Sequence, residues 1–320
     1  MPQPKNPART RSAAAISRSE AWLTRAHILT EALPYMQEYA GAIVVIKCGG
    51  AALTEKKARD ALAQDVALLH QAGVRPVLVH GGGPQINAMM KRLKLPEKFH
   101  DGMRVSDAAT VQVVEMVLGS INKQLAHALN RCGARAVGLS GKDANLIGAV
   151  RTSARGALGL VGEPQKVEPQ LVQELLESGH IPVIAPTAAD AQGQTLNINA
   201  DDAAGHMAAA LGAKRFLLLT DVEGVLDKAG NLLTNMSLAE ARQLLRDKTA
   251  QGGMIPKLRT AIHATSAGVD AAVIVDGRVR HAVLLELFTG HGVGTLIRRT
   301  RPARKSQTRK ARGKKPRAKK

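Results

Sequence analysis

The sequence predicts an α/β protein with a central, mainly parallel sheet covered by helices on both faces. Six short apolar runs, at 42–47, 75–80, 134–140, 180–186, 215–220 and 269–276, are bounded by Gly, Pro and polar residues and read as buried strands. Segments of helical period separate them, at 55–71, 84–93, 108–131, 168–177, 201–211, 238–246 and 257–267. Alternating strand and helix imply parallel strands joined by crossovers, and ligands of such sheets sit beyond the strands' carboxyl ends. At 320 residues and 45% hydrophobic composition, the chain can enclose the core this architecture needs.

From the N-terminus, residues 1–18 are rich in Ala, Ser and Arg and hold no acid. They read as a disordered leader, and the same composition also fits a mitochondrial transit segment. In 19–40, Trp22, Leu23, Ile28, Leu29, Leu33 and Met36 recur at spacings near three and four. This predicts an amphipathic helix whose apolar face needs a partner, such as another subunit. The first strand runs into Lys47, Cys48, Gly49 and Gly50, and the second into His80, Gly81, Gly82 and Gly83. Pro84 then suits the first turn of a helix. Residues 298–320 close the chain with 13 Lys/Arg, no acid, and Pro302, Gly313 and Pro316. Such a segment cannot offset the entropy of ordering and reads as a solvated arm.

Charge and composition exclude several functions. The formal net charge is +19, but the tail and the first 28 residues carry nearly all of it, which leaves about +2 for 29–297. The folded body is therefore almost neutral, and contact with nucleic acid is expected only through the tail. Aromatic residues make up 2% of the chain, too few for base-stacking platforms. There is no apolar run of 18 residues, so no membrane span is expected. Cys48 and Cys132 provide no disulfide framework and suit a reducing, cytoplasmic setting. Cys48 reads as a packed thiol, with a nucleophile as the alternative.

The loops after the first two strands carry the chemistry. Paired glycines let backbone N–H groups approach an anion, and a following helix adds a favourable dipole. Two such loops at adjacent strand ends suggest phosphoryl transfer, although neither fits the GxxxxGK[ST] pattern of a P-loop. Three further segments, 102–106, 197–201 and 252–257, supply Arg104, Asn197, Asp201 and Lys257. A migrating phosphoryl group spreads negative charge over its oxygens and needs fixed cations, a need that Lys47 and Lys257 can meet. Asp201 between two lysines would hold both and offset their repulsion.

In this order, KCGG, HGGGPQIN, DGMRVSD, GLSGKDANL, NINADDAAG, LLLTDVEGVLD and GGMIPK resemble the amino-acid kinase family over 19–297. The resemblance implies a three-layer sandwich, with a substrate lobe at about 41–195 and a nucleotide lobe at about 196–297. It implies transfer of the γ-phosphoryl group of ATP to the side-chain carboxylate of N-acetyl-L-glutamate, a step of arginine biosynthesis. On this likeness, Lys47 and Lys257 stabilise the transition state and Asp201 orients them. Gly81, Gly82, Arg104 and Asn197 bind substrate, with Arg104 on the α-carboxylate and Asn197 on the amide. Gly49, Gly50, Asp221, Val222, Gly224, Val225, Leu226, Gly253 and Met254 face the nucleotide. Magnesium is held mainly by phosphates and water, with no protein ligand cluster.

The N-terminal helix is similar to that of arginine-inhibited, hexameric members, in which such helices interlace. That likeness places Tyr35, Glu286 and Gly292 at an arginine effector site. Two positions depart from it: Val273 stands where some inhibited members have His, and Gly290 where Asp is expected. Two rival readings stay open, a glutamate or aspartate kinase of the same family and a non-catalytic arginine-sensing or nucleic-acid-associated protein.

Overall fold

A computed structural model describes residues 7–100, 103–152, 158–290 and 292–299. Helix α1 (Pro7–Tyr39) precedes β1 (Ile43–Cys48), α2 (Ala51–Thr54), α3 (Lys56–Gln71), β2 (Arg75–His80) and α4 (Gly83–Arg92). Then come the short β3 (Phe99–His100) and β4 (Met103–Arg104), the long α5 (Ala108–Arg131) and β5 (Ala136–Ser140). Next are β6 (Ile147–Arg151), β7 (Val161–Val167), α6 (Gln170–Glu177), β8 (Ile181–Ala185), β9 (Thr187–Ala189) and β10 (Thr195–Ile198). The C-terminal part holds α7 (Ala200–Ala210), β11 (Arg215–Thr220), β12 (Asn235–Ser237), α8 (Leu238–Arg246) and α9 (Met254–Ser266). It ends with β13 (Ala271–Asp276), α10 (Ala282–Phe288) and β14 (Thr295–Arg298).

Eight strands form the central sheet in the order β12-β14-β13-β11-β1-β2-β8-β5. Every pair is parallel except β13 with β14. The strand order turns back at β1, which lies between β2 and β11, so a crevice opens at its carboxyl end. Strands β6, β7, β9 and β10 close into a small barrel beside the sheet.

Period-two alternation splits each inner strand between two cores. Val44, Ile46, Leu78, Leu217, Leu219, Val273 and Val275 pack with α3, α4, α5 and α10. Val45, Val77, Val79, Phe216, Leu218 and Ile274 pack on the other face with α6, α7, α8 and α9. Both faces of the sheet are thus dry, as an almost all-parallel sheet requires. The three-layer arrangement expected from the sequence is present.

The structure differs from the sequence reading at its ends and in its short strands. Helix α1 begins at Pro7, so residues 7–18, expected to be disordered, are helical. Pro7 fits a first helical position, and the Ala-rich 13–15 favours continuation. Among the described residues, the end of α1 packs on the body through Ala32, Tyr35, Met36 and Tyr39. Trp22, Leu23, Ile28, Leu29 and Leu33 are exposed, which leaves an apolar face uncovered in the single chain. Arg298 belongs to β14 and not to the tail. Residues 1–6 of the expected leader and 300–320 of the tail lie outside the described residues.

A buried polar joint holds the carboxyl ends of three strands together. Asn122 of α5 donates through Nδ2 to the carbonyls of Val183 (2.8 Å) and Leu139 (3.1 Å) and contacts His80 Nε2 at 3.2 Å. His80 Nδ1 lies 2.9 Å from the Gly81 carbonyl and donates to it, which leaves Nε2 unprotonated, a third acceptor sharing the two protons of the Asn122 NH2. Burial pushes the pKa of His80 down from 6.5 to about 4, so the ring is neutral in the fold. The unfolded chain takes up a proton below about pH 6.5 that folded His80 refuses until about pH 4. This contribution to stability is therefore complete above pH 6.5 and is lost as pH falls toward 4, by about 3 kcal/mol in all. Urea denaturation between pH 4 and 7.5 will show that slope in the wild-type protein and a flatter one in His80→Asn.

Candidate active site

Lys47 lies on the same strand face as Val45, toward the layer that contains α7. There its Nζ meets Asp201 Oδ1 at 2.7 Å. Asp201 sits in the first turn of α7, whose N-cap Asn199 accepts hydrogen bonds from the backbone of Asp201 (2.8 Å) and Asp202 (3.4 Å). A carboxylate there also gains from the helix dipole. The ion pair is thus fixed by a strand end on one side and a capped helix start on the other.

Around this pair lies a cavity of about 280 Å3, lined by Gly49, Gly50, Gly81, Gly82, Arg104 and Asn197 together with Lys47 and Asp201. Such a volume suits a small organic acid. Gly81 N donates to the Cys48 carbonyl at 2.8 Å, so the two glycine loops are joined. A Cβ at position 82 would stand 2.7 Å from Ile121 Cδ1 and 2.8 Å from Leu118 Cδ2, so both side-chain ends would have to shift to admit one. Burial raises the Cys48 thiol to about 12, so it is an inert packed group and not a nucleophile.

Arg104 is buried in the opposite wall. Its guanidinium donates to Asn87 Oδ1, contacts Met90 Sδ at 3.3 Å and lies 4.8 Å from the Phe99 ring centroid. Burial lowers its pKa and nearby Glu97 opposes the shift; arginine remains charged in any case. Three sides of the fork are therefore fixed before any ligand arrives. Asn197, on β10, donates from Nδ2 to Ser106 Oγ at 3.2 Å. Asn87, Phe99, Ser106 and Asn199 were not singled out from sequence, although all but Phe99 lie inside the quoted motifs.

Lys257 does not line the cavity. It occupies the first turn of α9, with Nζ 3.4 Å from the Gly253 carbonyl. One turn further on, Thr260 donates to Asp202 at 3.0 Å, which ties the start of α9 to the start of α7. Gly253 and Met254 also lie at this helix start, outside the cavity. Asp221, Val222, Gly224, Val225 and Leu226 form the turn after β11, also outside it. There Gly224 has φ +153 and Val225 N donates to Thr295 Oγ1 at 2.8 Å, while Val222 and Leu226 are exposed.

Tyr35, Glu286, Gly290 and Gly292 come together where α1 meets α10. A Cβ on Gly290 would lie 2.8 Å from Tyr35 Oη, and one on Gly292 3.0 Å from Glu286. Glu286 accepts from Val293 N at 3.0 Å, and burial raises its pKa. Val273 is buried within β13. A separate cavity of about 450 Å3 between α3 and the turn before α10 holds the His281–Asp65 pair (2.5 Å) and neither glycine loop. The lysine, the paired glycines and the helix start all favour the smaller cavity as the reaction site.

Comparison with known proteins identifies the family. The sequence pattern of the amino acid kinase family matches residues 42–276. The acetylglutamate kinase of Parvibaculum lavamentivorans is 52% identical over 289 residues, 87% of this chain and 95% of that one. The acetylglutamate kinase of Roseobacter denitrificans is 54% identical, over 87% of this chain and 96% of the relative. Among solved structures, the N-acetylglutamate synthase of Neisseria gonorrhoeae with coenzyme A and N-acetyl-glutamate aligns at TM-score 0.78 and 26% identity. That alignment covers 86% of this chain and 64% of the longer synthase. The same synthase with coenzyme A and L-arginine aligns at TM-score 0.75 and 27% identity, over 86% of this chain and 65% of that one. With its parallel sheet, its glycine loops at the strand switch and a sequence match over most of its length, the chain belongs to the amino acid kinase family.

Proposed function

We infer that this chain is an acetylglutamate kinase, which transfers the γ-phosphoryl group of ATP to the side-chain carboxylate of N-acetyl-L-glutamate in arginine biosynthesis. The Lys47–Asp201 pair between two glycine loops, facing Arg104 and Asn197 across one small cavity, carries the reading. The names of relatives above 50% identity support the choice of acceptor. A glutamate or aspartate kinase would share the fold, but Asn197 beside Arg104 offers an amide partner that an acylated nitrogen can use.

In the reaction, an oxygen of the acceptor carboxylate attacks the γ-phosphorus while the bond to the ADP oxygen breaks, giving an acyl phosphate and ADP. The backbone N–H of Gly82 receives the acceptor carboxylate, Gly81 lines the site with its own N–H kept on the Cys48 carbonyl, and Arg104 holds the α-carboxylate as a planar fork. Lys47, oriented by Asp201, neutralises charge on the phosphoryl oxygens from the acceptor side and Lys257 from the nucleotide side. ATP lies along 221–226 and 249–254 with Gly49 and Gly50 at its phosphates, over a nucleotide lobe of about 196–297. The substrate lobe is about 41–195. Among the described residues Asp201 is the only carboxylate lining the cavity and Lys47 already holds it, so the donor set suits magnesium carried by phosphates and water. Magnesium bound in that way neutralises phosphate charge.

The exposed apolar residues of α1 support assembly into a hexamer through these helices. The Tyr35, Glu286 and Gly292 cluster supports an arginine effector site beside it, and the synthase solved with L-arginine shares the fold. No helix among the described residues is long and apolar enough to cross a membrane, which accords with action in the cytoplasm. The tail is proposed to meet nucleic acid only through its charge.

A coupled assay for ADP will show turnover with acetylglutamate and little with glutamate or aspartate; preference for either free amino acid overturns the acceptor. Lys47→Ala and Lys257→Ala lower kcat by roughly 10³–10⁵-fold, and Arg104→Lys mainly raises the acetylglutamate KM. Gly82→Ala, which drives a methyl into Ile121 and Leu118, lowers activity and Tm together. Glu286→Gln weakens arginine inhibition with kcat preserved, read from inhibition curves.

A further inference from the structure

We propose that Ser106, a residue behind the cavity wall, is a positioning residue that sets the orientation of the Asn197 amide and thereby selects N-acylated acids. The inference rests on the substrate reading above and deepens it. Ser106 is wholly buried and does not line the cavity. Its Oγ donates to the Arg104 carbonyl at 3.0 Å and accepts from Asn197 Nδ2 at 3.2 Å. One hydroxyl therefore touches both residues assigned to substrate recognition.

The chemistry of that hydroxyl fixes the amide. A serine has a single proton to give and lone pairs to receive with. The Arg104 carbonyl can only accept, so it takes the proton. The oxygen then faces Asn197 purely as an acceptor, and the amide must turn its NH2 group toward it. Asn197 Oδ1 is left for the ligand, as an acceptor suited to the N–H of an acylamide. Reversing the amide would set two acceptors face to face and leave a buried polar group unpaired, which is costly.

The backbone around Ser106 allows no slack. Ser106 N donates to Leu158 O at 3.0 Å, Leu160 N donates to Ser106 O at 2.6 Å, and Asn197 N donates to Leu160 O at 2.9 Å. Gly159 has φ +67, and a Cβ there would stand 2.5 Å from the Ser106 carbonyl. The segment bearing Arg104 is thus stitched to β10 through 158–160, with the serine hydroxyl as the side-chain link across the seam.

Steady-state kinetics test this. In Ser106→Ala the acetylglutamate KM rises about tenfold, the loss of one oriented hydrogen bond. The kcat stays within twofold, the ATP KM is unchanged, and the preference for acetylglutamate over glutamate narrows. Ser106→Thr, which keeps the hydroxyl, restores the wild-type KM. A purely structural role would instead lower Tm and kcat and raise both KM values. Should Ser106→Ala not fold, Ser106→Cys gives the same readout with a weak donor of similar size. An acetylglutamate KM within twofold of wild type in the folded variant overturns the inference alone. A wild-type protein inactive on acetylglutamate overturns the substrate reading, and the role of Ser106 with it.

Discussion

The site depends on one partly buried ion pair, Lys47 with Asp201. Taking two charges out of water costs several kcal/mol per ion, and their attraction offsets this only when geometry and extra hydrogen bonds are good. A valine and a leucine in their places would cost the fold little, so stability does not account for the pair. What accounts for it is position. Lys47 stands at the carboxyl end of the central strand, where the order of the sheet turns back, and Asp201 stands where a helix dipole and an asparagine cap favour negative charge. The charge is kept at the one place where two glycine loops can bring phosphate and carboxylate groups close together.

The central strands were legible because burial on both faces imposes continuous apolar runs, and RPVLVH or RFLLLT leaves little choice. Alternation groups Lys47 with Val45 on one face, but only the structure shows that α7 covers it. The barrel strands were not legible. VGEPQKV and TLNI mix Gly, Pro and polar residues, and they become strands only because each finds a partner across the ring. Asn197 was found through its motif, but the wall that holds it could not be foreseen from local pattern.

Buried polar residues set a similar limit. Asn122 lies in a helix whose period is read from its apolar residues, and nothing local says that it joins three strand ends through His80, Leu139 and Val183. Asn87 and Ser106 show the same thing, since their partners are 17 and 91 residues away in sequence. Lys257 illustrates the converse. Its glycine neighbours drew attention to it, yet the relation of its helix to Asp201 runs through the Thr260–Asp202 contact, which no spacing rule contains.

These features meet in five residues at the junction of β10 and α7. Asn197 ends in the cavity wall and is held by Ser106; Asn199 caps the helix; Asp201 takes the charge of Lys47. The alternation that sends every second strand residue to one side carries Asn197 and Asn199 to related positions, and the helix start then turns Asp201 toward β1. Under the proposed reading, one short stretch of backbone thus couples recognition of the acceptor's amide to the placement of charge around the phosphoryl group. Asp202 extends the coupling to α9, because its contact with Thr260 lies one turn from Lys257. A shift of this junction would move the amide reader and the charge organiser together. For a transfer in which the protein supplies mainly position and fixed charge, that rigid coupling meets the main physical requirement of the reaction.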